Sequence, residues 1–288
     1  MAIWGTIGVF VREIELPTSV IALVRGIIGT AFLLCAAALM KRLPNMKSVL
    51  ANWKYLLPAG AGIGLNWIFL FEAYRATSVA TATLAYYMAP VFVIVFTPWF
   101  LKERVTFFKM FCAAAAVFGM VLISGVFSDV QQTAGLRGIA FGLAAACLYA
   151  AVVFCNKFLK NIDSMASSIV QLAVSAVVVA PYVVATVDFG ALDWSVKSAG
   201  LTFFVGIVHT GVAYGLYFSA LPKLEAVRIA IFSYIDPALA IVLSVLVLNE
   251  PMTLTGVVGA MLILGATLAS ELAVTKRKLP VGVAGRRG

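Results

Sequence analysis

Apolar residues in this chain fall into stretches near 20 residues long, separated by short breaks that carry charge, Gly or Pro. At 1.5 Å per residue, a helix of ~20 residues crosses the ~30 Å hydrocarbon core of a bilayer. The pattern predicts helical spans near residues 1–12, 18–41, 54–74, 77–100, 105–126, 136–158, 164–187, 198–220, 225–248 and 252–274. The breaks lie at Pro17, Pro44, Arg75, 102–104, 128–133, 161–164, 188–193, 222–223 and 249–251. Strict apolar/polar alternation is absent, which excludes a membrane β-barrel. No linker or low-complexity segment marks a separate soluble domain.

Composition agrees with that pattern. Hydrophobic residues make up 63% and charged residues 11%, against about 25% charged in an ordinary soluble domain. Soluble helices need one polar face, and long stretches here have none.

The chain also repeats itself. Sliding 64–106 onto 211–253 without a gap gives ten identities: Gly64, Phe71, Ala73, Tyr87, Pro90, Ile94, Val95, Leu101, Glu103 and Thr106 each recur 147 positions later. Apolar composition explains some of this agreement, but not a Tyr-x-x-Pro and a Leu-x-Glu-x-x-Thr shared in one register. A period of 147 is far beyond the ~20–50 residues of solenoid repeats.

Charge gives the orientation. With the N-terminus inside, 16 basic residues fall on the cytoplasmic side, and only Arg12, Arg75, Arg137 and Lys197 fall outside, with Arg25 inside a span. That bias is a positive-inside signal. The net charge of +9 therefore reports topology and anionic lipid headgroups, and nucleic acid is not an expected partner. Five spans per copy is an odd number, so the second copy lies upside down relative to the first. The expected fold is an all-α membrane protein of ten transmembrane helices, arranged as two inverted five-helix repeats. Inverted repeats are a recurring transporter plan, with substrate held near the midplane. The first span is short: Met1 to Val11 covers about 16 Å at helical rise. Its partner pairs Trp4-Gly5 with Tyr149-Ala150, so the expectation is a start placed too far downstream or a truncated first helix. No basic segment or cleavage site marks a signal peptide.

Chemistry for catalysis is nearly absent. Cys35, Cys112, Cys147 and Cys155 lie inside spans without a Cys-x-x-Cys pair and read as small apolar filler. There is one histidine, and no zinc-protease, phosphate-loop or nucleophile-turn motif. No enzyme, metal or cofactor is expected.

The two copies resemble the drug/metabolite transporter superfamily, EamA type with ten helices. The matching elements are Trp4-Gly5, Pro17 followed by Arg25, Phe71-x-Ala73, Pro90 and Leu101-x-Glu103-x-x-Thr106. In the second copy they are Phe218-x-Ala220, Pro237 and Leu248-x-Glu250-Pro251-x-Thr253. The resemblance divides the chain into a first unit over 1–126 with a truncated first helix, a second over 136–274, and a basic cytoplasmic tail over 275–288. It implies a secondary transporter in a bacterial inner membrane, moving small metabolites, often amino acids and often outward, by alternating access. The partners it implies are a small-molecule substrate, the lipid bilayer and a coupling proton. A channel would need rings of like polar groups, and none shows; a scaffold gives no reason for two inverted copies kinked at midplane.

Several residues are candidates for the transport path. Pro90 and Pro237 each free a backbone carbonyl four residues earlier, on Tyr86 and Ser233, and are expected to bend spans four and nine as hinges, or to be plain packing kinks. Charges at midplane are costly, ~2.5–3.5 kcal/mol even on insertion scales. Arg25 is thus either a receptor for a substrate carboxylate or half of a buried ion pair. Asp236, whose counterpart is Ala89, is either a proton or amine site or a neutral hydrogen-bonded acid. His209 is a structural hydrogen-bonder or a proton carrier. Asn66, Trp67, Tyr86, Tyr87, Tyr214 and Tyr234 complete the candidate substrate-binding set. Glu72 is expected to snorkel or to pair with Arg75. Glu103 and Glu250 each precede a Thr that can cap the next helix, where a carboxylate favours the positive helix end. Spans five and ten, rich in small residues and poor in polar ones, are expected to brace the bundle.

Overall fold

Helix boundaries in this chain follow local capping chemistry. The structure, a computed structural model, describes residues 1–102, 104–124, 133–192, 195–220, 224 and 231–278. Pro17 precedes α3 (Thr18–Leu39), where a residue without a free N–H costs nothing. Ser78 caps α6 (Val79–Tyr86) by accepting from Thr81 N, Asp163 caps α10 (Ser164–Thr186) and Ser195 caps α11 (Val196–Phe204). The end of α3 closes with Lys41 left-handed at φ 54, with Arg42 N donating to Ala37 O at 2.8 Å, the double turn of a Schellman stop. Lys102 (φ 54) and Asn249 (φ 51) are left-handed too. They stand 147 apart, so the two copies share a backbone turn as well as a sequence register.

The remaining elements are α1 (Ala2–Gly5), α2 (Ile7–Glu13), α4 (Met46–Ala51), α5 (Trp53–Ala76), α7 (Ala89–Phe100), α8 (Phe107–Ile123), α9 (Thr133–Lys157), α12 (Ala213–Ala220), α13 (Ile235–Leu246) and α14 (Leu254–Lys278). Between α11 and α12 runs a π-helix, Val205–Val212. No strand occurs among the described residues. Seven helices there are long and apolar enough to cross a membrane, and two shorter apolar ones, Phe107–Ile123 and Ile231–Leu246, occupy expected spans.

The prolines correct one expectation. They do not kink continuous helices. Span four breaks at Tyr87–Met88, and Pro90 sits in the first turn of α7. Likewise Tyr234 is a turn, and Pro237 sits in the first turn of α13. A first-turn proline lacks only an N–H that has no helical partner anyway. The carbonyl of Ser233 lies 3.2 Å from Tyr87 Oη of the other copy, which shares its one proton between this carbonyl and Asp236 Oδ2 at 3.1 Å.

Packing joins α10 to both α3 and α5, α5 to α9, and α8 to α14. The last contact is backbone-close: a Cβ on Gly119 would stand 2.7 Å from Gly259 O, as small-residue packing in membranes requires. In this apolar interior Thr30, Thr97, Thr202 and Thr267 return their hydroxyls to the carbonyl four residues earlier, which satisfies them without water.

Glu250 is structural, but not in the way its sequence position predicts. Thr253 caps α14 by itself, accepting from Gly256 N at 3.1 Å. Glu250 reaches instead to the other copy: Oε1 accepts from Arg12 Nη2 at 2.7 Å and Oε2 from Val79 N at 2.8 Å, while Ser244 Oγ of its own copy also donates to Oε2. Arg12 Nη1 also donates to Tyr74 O and Thr77 O. Glu103 lies outside the described residues. The Glu72–Arg75 pair is replaced too. Glu72 accepts from Thr18 Oγ1 at 2.6 Å, and Arg75 donates to the carbonyls of Ile14 and Leu16.

Candidate functional site

Two helix breaks bring polar groups from both copies to one cavity. Arg25 comes from the middle of α3, Trp67 from α5, and Tyr86 and Tyr87 from the end of α6 and its break. Tyr214 comes from α12, and Tyr234 and Asp236 from the break into α13. Together with Pro90 they line one cavity of about 500 Å³. A site of that size takes a small metabolite.

The guanidinium of Arg25 is the main electrostatic feature. Arg25 is 4% exposed, its Cζ stands 4.2 Å over the Trp67 ring, and its Nε donates to Thr210 Oγ1 at 2.6 Å. Cation–π stacking and one hydrogen bond offset part of the burial cost. Neither Arg25 nor Asp236 forms an ion pair among the described residues. Tyr87 Oη donates to Asp236 Oδ2 at 3.1 Å. Two further polar atoms, Thr83 Oγ1 and Tyr234 Oη, are buried without a hydrogen-bond partner among the described residues, and both residues line the cavity.

Three expected residues are not on this wall. Asn66 is buried behind it, its Nδ2 donating to Ala145 O at 2.6 Å, so it ties α5 to α9. His209 packs its ring against Phe10 and Phe204. Its Nε2 lies 2.8 Å from Thr6 Oγ1, and because the Thr6 hydroxyl already donates to Ile3 O, Nε2 is the donor. Pro237 is buried beside Asp236 without lining the cavity.

Sequence reasoning missed other members. Glu271, toward the C-terminal end of α14, lines the cavity with Tyr74, Thr83, Tyr149 and Tyr217. So the last span supplies a carboxylate to the site while its Gly259 face braces α8. Glu271 was not singled out in sequence, because the last span reads as a brace poor in polar groups. Trp4 was read only as a family marker, yet it lines the cavity and meets Tyr214 edge-on at 5.4 Å between centroids. No group of three metal-ligating side chains occurs among the described residues.

An all-helical membrane bundle that encloses an aromatic, charged cavity is the layout of a protein that handles a small solute. A family model described as "EamA-like transporter family" matches residues 1–125 and 136–270. The chain belongs to that family and carries its unit twice. It is 30% identical over 249 residues to "Uncharacterized transporter YxxF" of Bacillus subtilis (strain 168), covering 84% of this chain and 78% of that protein. It is 27% identical over 218 residues to an "Uncharacterized transporter" of Archaeoglobus fulgidus, covering 75% of each. A solved structure described as "Crystal structure of protein" matches with a TM-score of 0.66 at 17% identity, over 96% of this chain and 94% of that one; at that identity the likeness shows the fold alone. The family and its named members are transporters rather than enzymes.

Proposed function

We propose that the chain is a secondary transporter that exports a small metabolite, an amino acid or a close relative of one, by alternating access. In this reading ten membrane-crossing helices form two inverted five-helix repeats over 1–126 and 136–274. A basic tail over 275–288 follows, and both termini lie in the cytoplasm of a bacterial cell whose inner membrane holds the protein. The cavity receives the substrate, Arg25 its carboxylate, and Asp236 its amino group or the coupling proton. Trp67, Tyr86, Tyr87, Tyr214 and Tyr234 supply apolar faces and hydroxyls, and the breaks at Pro90 and Pro237 are the hinges.

One observation carries the reading. A buried cation from the first copy and an acid from the second line the same cavity without an ion pair to either. A structural pair would have closed on itself, because an uncompensated charge in hydrocarbon is expensive. A dipolar solute bridging the two copies compensates both. The clasp of Arg12 with Glu250 supports the inverted arrangement, since parity puts both residues on the outer side.

The test is counterflow of labelled amino acids and other metabolites in proteoliposomes, with and without a pH gradient. Saturable, gradient-sensitive flux of at least one amino acid is expected. Non-saturating flux that ignores the gradient would favour a channel. No flux of any amino acid, with the protein folded, would remove the amino-acid reading.

A further inference from the structure

We infer that Thr210 is a positioning residue that makes the Arg25 side of the cavity a receptor for carboxylates. The inference rests on the reading of the cavity as the substrate site and adds a specificity device to it. Thr210 lies in the π-helix, is fully buried, and accepts from Arg25 Nε. Trp67 covers one face of the same guanidinium. With Nε occupied and one face stacked, the edge bearing Nη1 and Nη2 remains. Those nitrogens have no hydrogen-bond partner among the described residues, and Arg25 lines the cavity. A guanidinium fixed in this way offers two parallel N–H groups, the geometry that a carboxylate accepts bidentately.

The π-helix is what brings Thr210 to Arg25. Bonds of the i→i+5 type add a residue to each turn and so change which side chains face a neighbour; such segments recur at functional sites. Glycines at both ends let this one press onto α3. A Cβ on Gly206 would stand 2.9 Å from Ile28, and one on Gly211 would stand 2.5 Å from the Phe32 ring. The opposite side is pinned to the first helices. Trp4 Nε1 donates to His209 O at 2.8 Å, and His209 Nε2 donates to Thr6 Oγ1. His209 therefore holds the register of the segment, and Thr210 transmits it to Arg25.

The experiment compares carboxylate with amide on otherwise matched probes. Binding of acetate against acetamide, and of L-leucine against L-leucinamide, is measured calorimetrically on the purified full chain in detergent. Thr210→Val, Thr210→Ala and Thr210→Ser are compared with the wild type, with cooperative thermal unfolding as the folding control. The wild type is expected to prefer the carboxylate by roughly ten-fold or more in at least the acetate pair, the worth of one charge-assisted hydrogen bond. Thr210→Ser retains that preference, while Thr210→Val brings it to within about three-fold of unity, under half of that hydrogen bond's worth. If valine at 210 does not assemble, the smaller alanine makes the same comparison. A merely structural threonine would lower stability and leave the ratio in place; a folded Thr210→Val or Thr210→Ala that keeps the preference overturns the inference. Equal binding of acid and amide by the wild type overturns it as well. Discrimination between acetate and acetamide with no binding or counterflow of any amino acid supports this inference and removes the amino-acid reading instead.

Discussion

Glu250→Gln is expected to weaken the protein more than it alters what is transported. The carboxylate, with a side chain 12% exposed, gathers three donors: Arg12, the amide of Val79 at the start of α6, and the Ser244 hydroxyl. A glutamine retains one acceptor oxygen and must turn an NH₂ toward at least one of those donors. If the oxygen stays on Val79 and Ser244, the contact with Arg12 is lost. A buried charge-assisted bond contributes ~1.5–3 kcal/mol, but Arg12 is 32% exposed and holds two carbonyls besides, so the lower end applies. Loss of the negative charge beside the α6 N-terminus adds ~0.3–1 kcal/mol. The sum is about 2 kcal/mol, or roughly 4–8 °C in the midpoint of thermal unfolding. Glu250→Ala, which leaves Val79 N without its acceptor, should cost more. Arg12→Gln combined with Glu250→Gln should cost less than the two separately, because they share one bond. The assay is thermal unfolding in detergent, set beside the ratio of fluxes for two substrates in proteoliposomes. A Glu250→Gln protein that melts within about 1 °C of the wild type, well inside that shift, or one that is stable but devoid of flux, would refute this account of the clasp.

The other expectations can be stated briefly. Arg25→Lys keeps the charge but loses the planar fork; apparent affinity for a transported carboxylate should fall about ten-fold, and an unchanged affinity would take Arg25 out of the site. Asp236→Asn can still accept from Tyr87 Oη and should fold normally while losing gradient-driven accumulation; intact accumulation with an unaltered pH profile would make Asp236 a packing residue. Gly259→Val places a side chain against Gly119 O and Ile123, so it should cost about 1–3 kcal/mol by overpacking and reduce the yield of folded protein, with normal expression and melting counting against the α8–α14 contact. Reporter fusions at Ser128 and Leu192 should read periplasmic and one after Arg277 cytoplasmic; a periplasmic C-terminus would remove the inverted arrangement.

Much of the scaffold is legible before any coordinates. Apolar run length finds the long helices, because every backbone group in hydrocarbon must bond within its own segment and a helix has only one way to do so. The 147-residue register finds the matched turns at Lys102 and Asn249. Which face a side chain takes is far less legible. In helices that are apolar all round, hydrophobic periodicity carries no facing signal, so Asn66 could be placed at the right depth yet not on the right side. The π-helix is invisible to a 3.6-residue pattern, and with it the divergence of neighbours His209 and Thr210, one turned to Thr6 and the other to Arg25. Glu271 was passed over because the small residues of its span read as a packing face only, whereas another face of the same helix lines the cavity. The partner of Glu250 could not be read either, because Arg12 and Val79 stand 238 and 171 residues away, beyond any local rule of capping.

The duplication bears on where function can arise. Matched positions supply the frame: Tyr87 and Tyr234 at the breaks, Pro90 and Pro237 in the turns that follow, Thr106 and Thr253 before the last helix of each copy. The charges of the cavity sit where the copies differ. Asp236 corresponds to Ala89 and Glu271 to Ser124, while position 172, opposite Arg25 in the same register, is a leucine. A symmetric pair of identical charges would repel across the seam and leave no direction to a dipolar solute. On the proposed reading, with Arg25 on one copy and Asp236 on the other, a substrate that carries both signs would be held by both halves at once. Its two ends would then part company whenever the halves moved, so that its binding energy would bear directly on the equilibrium between conformations. That coupling needs no added device beyond the bends the two copies share. It does require that the charges remain unpaired until the substrate arrives, which is how Arg25 and Asp236 stand among the described residues.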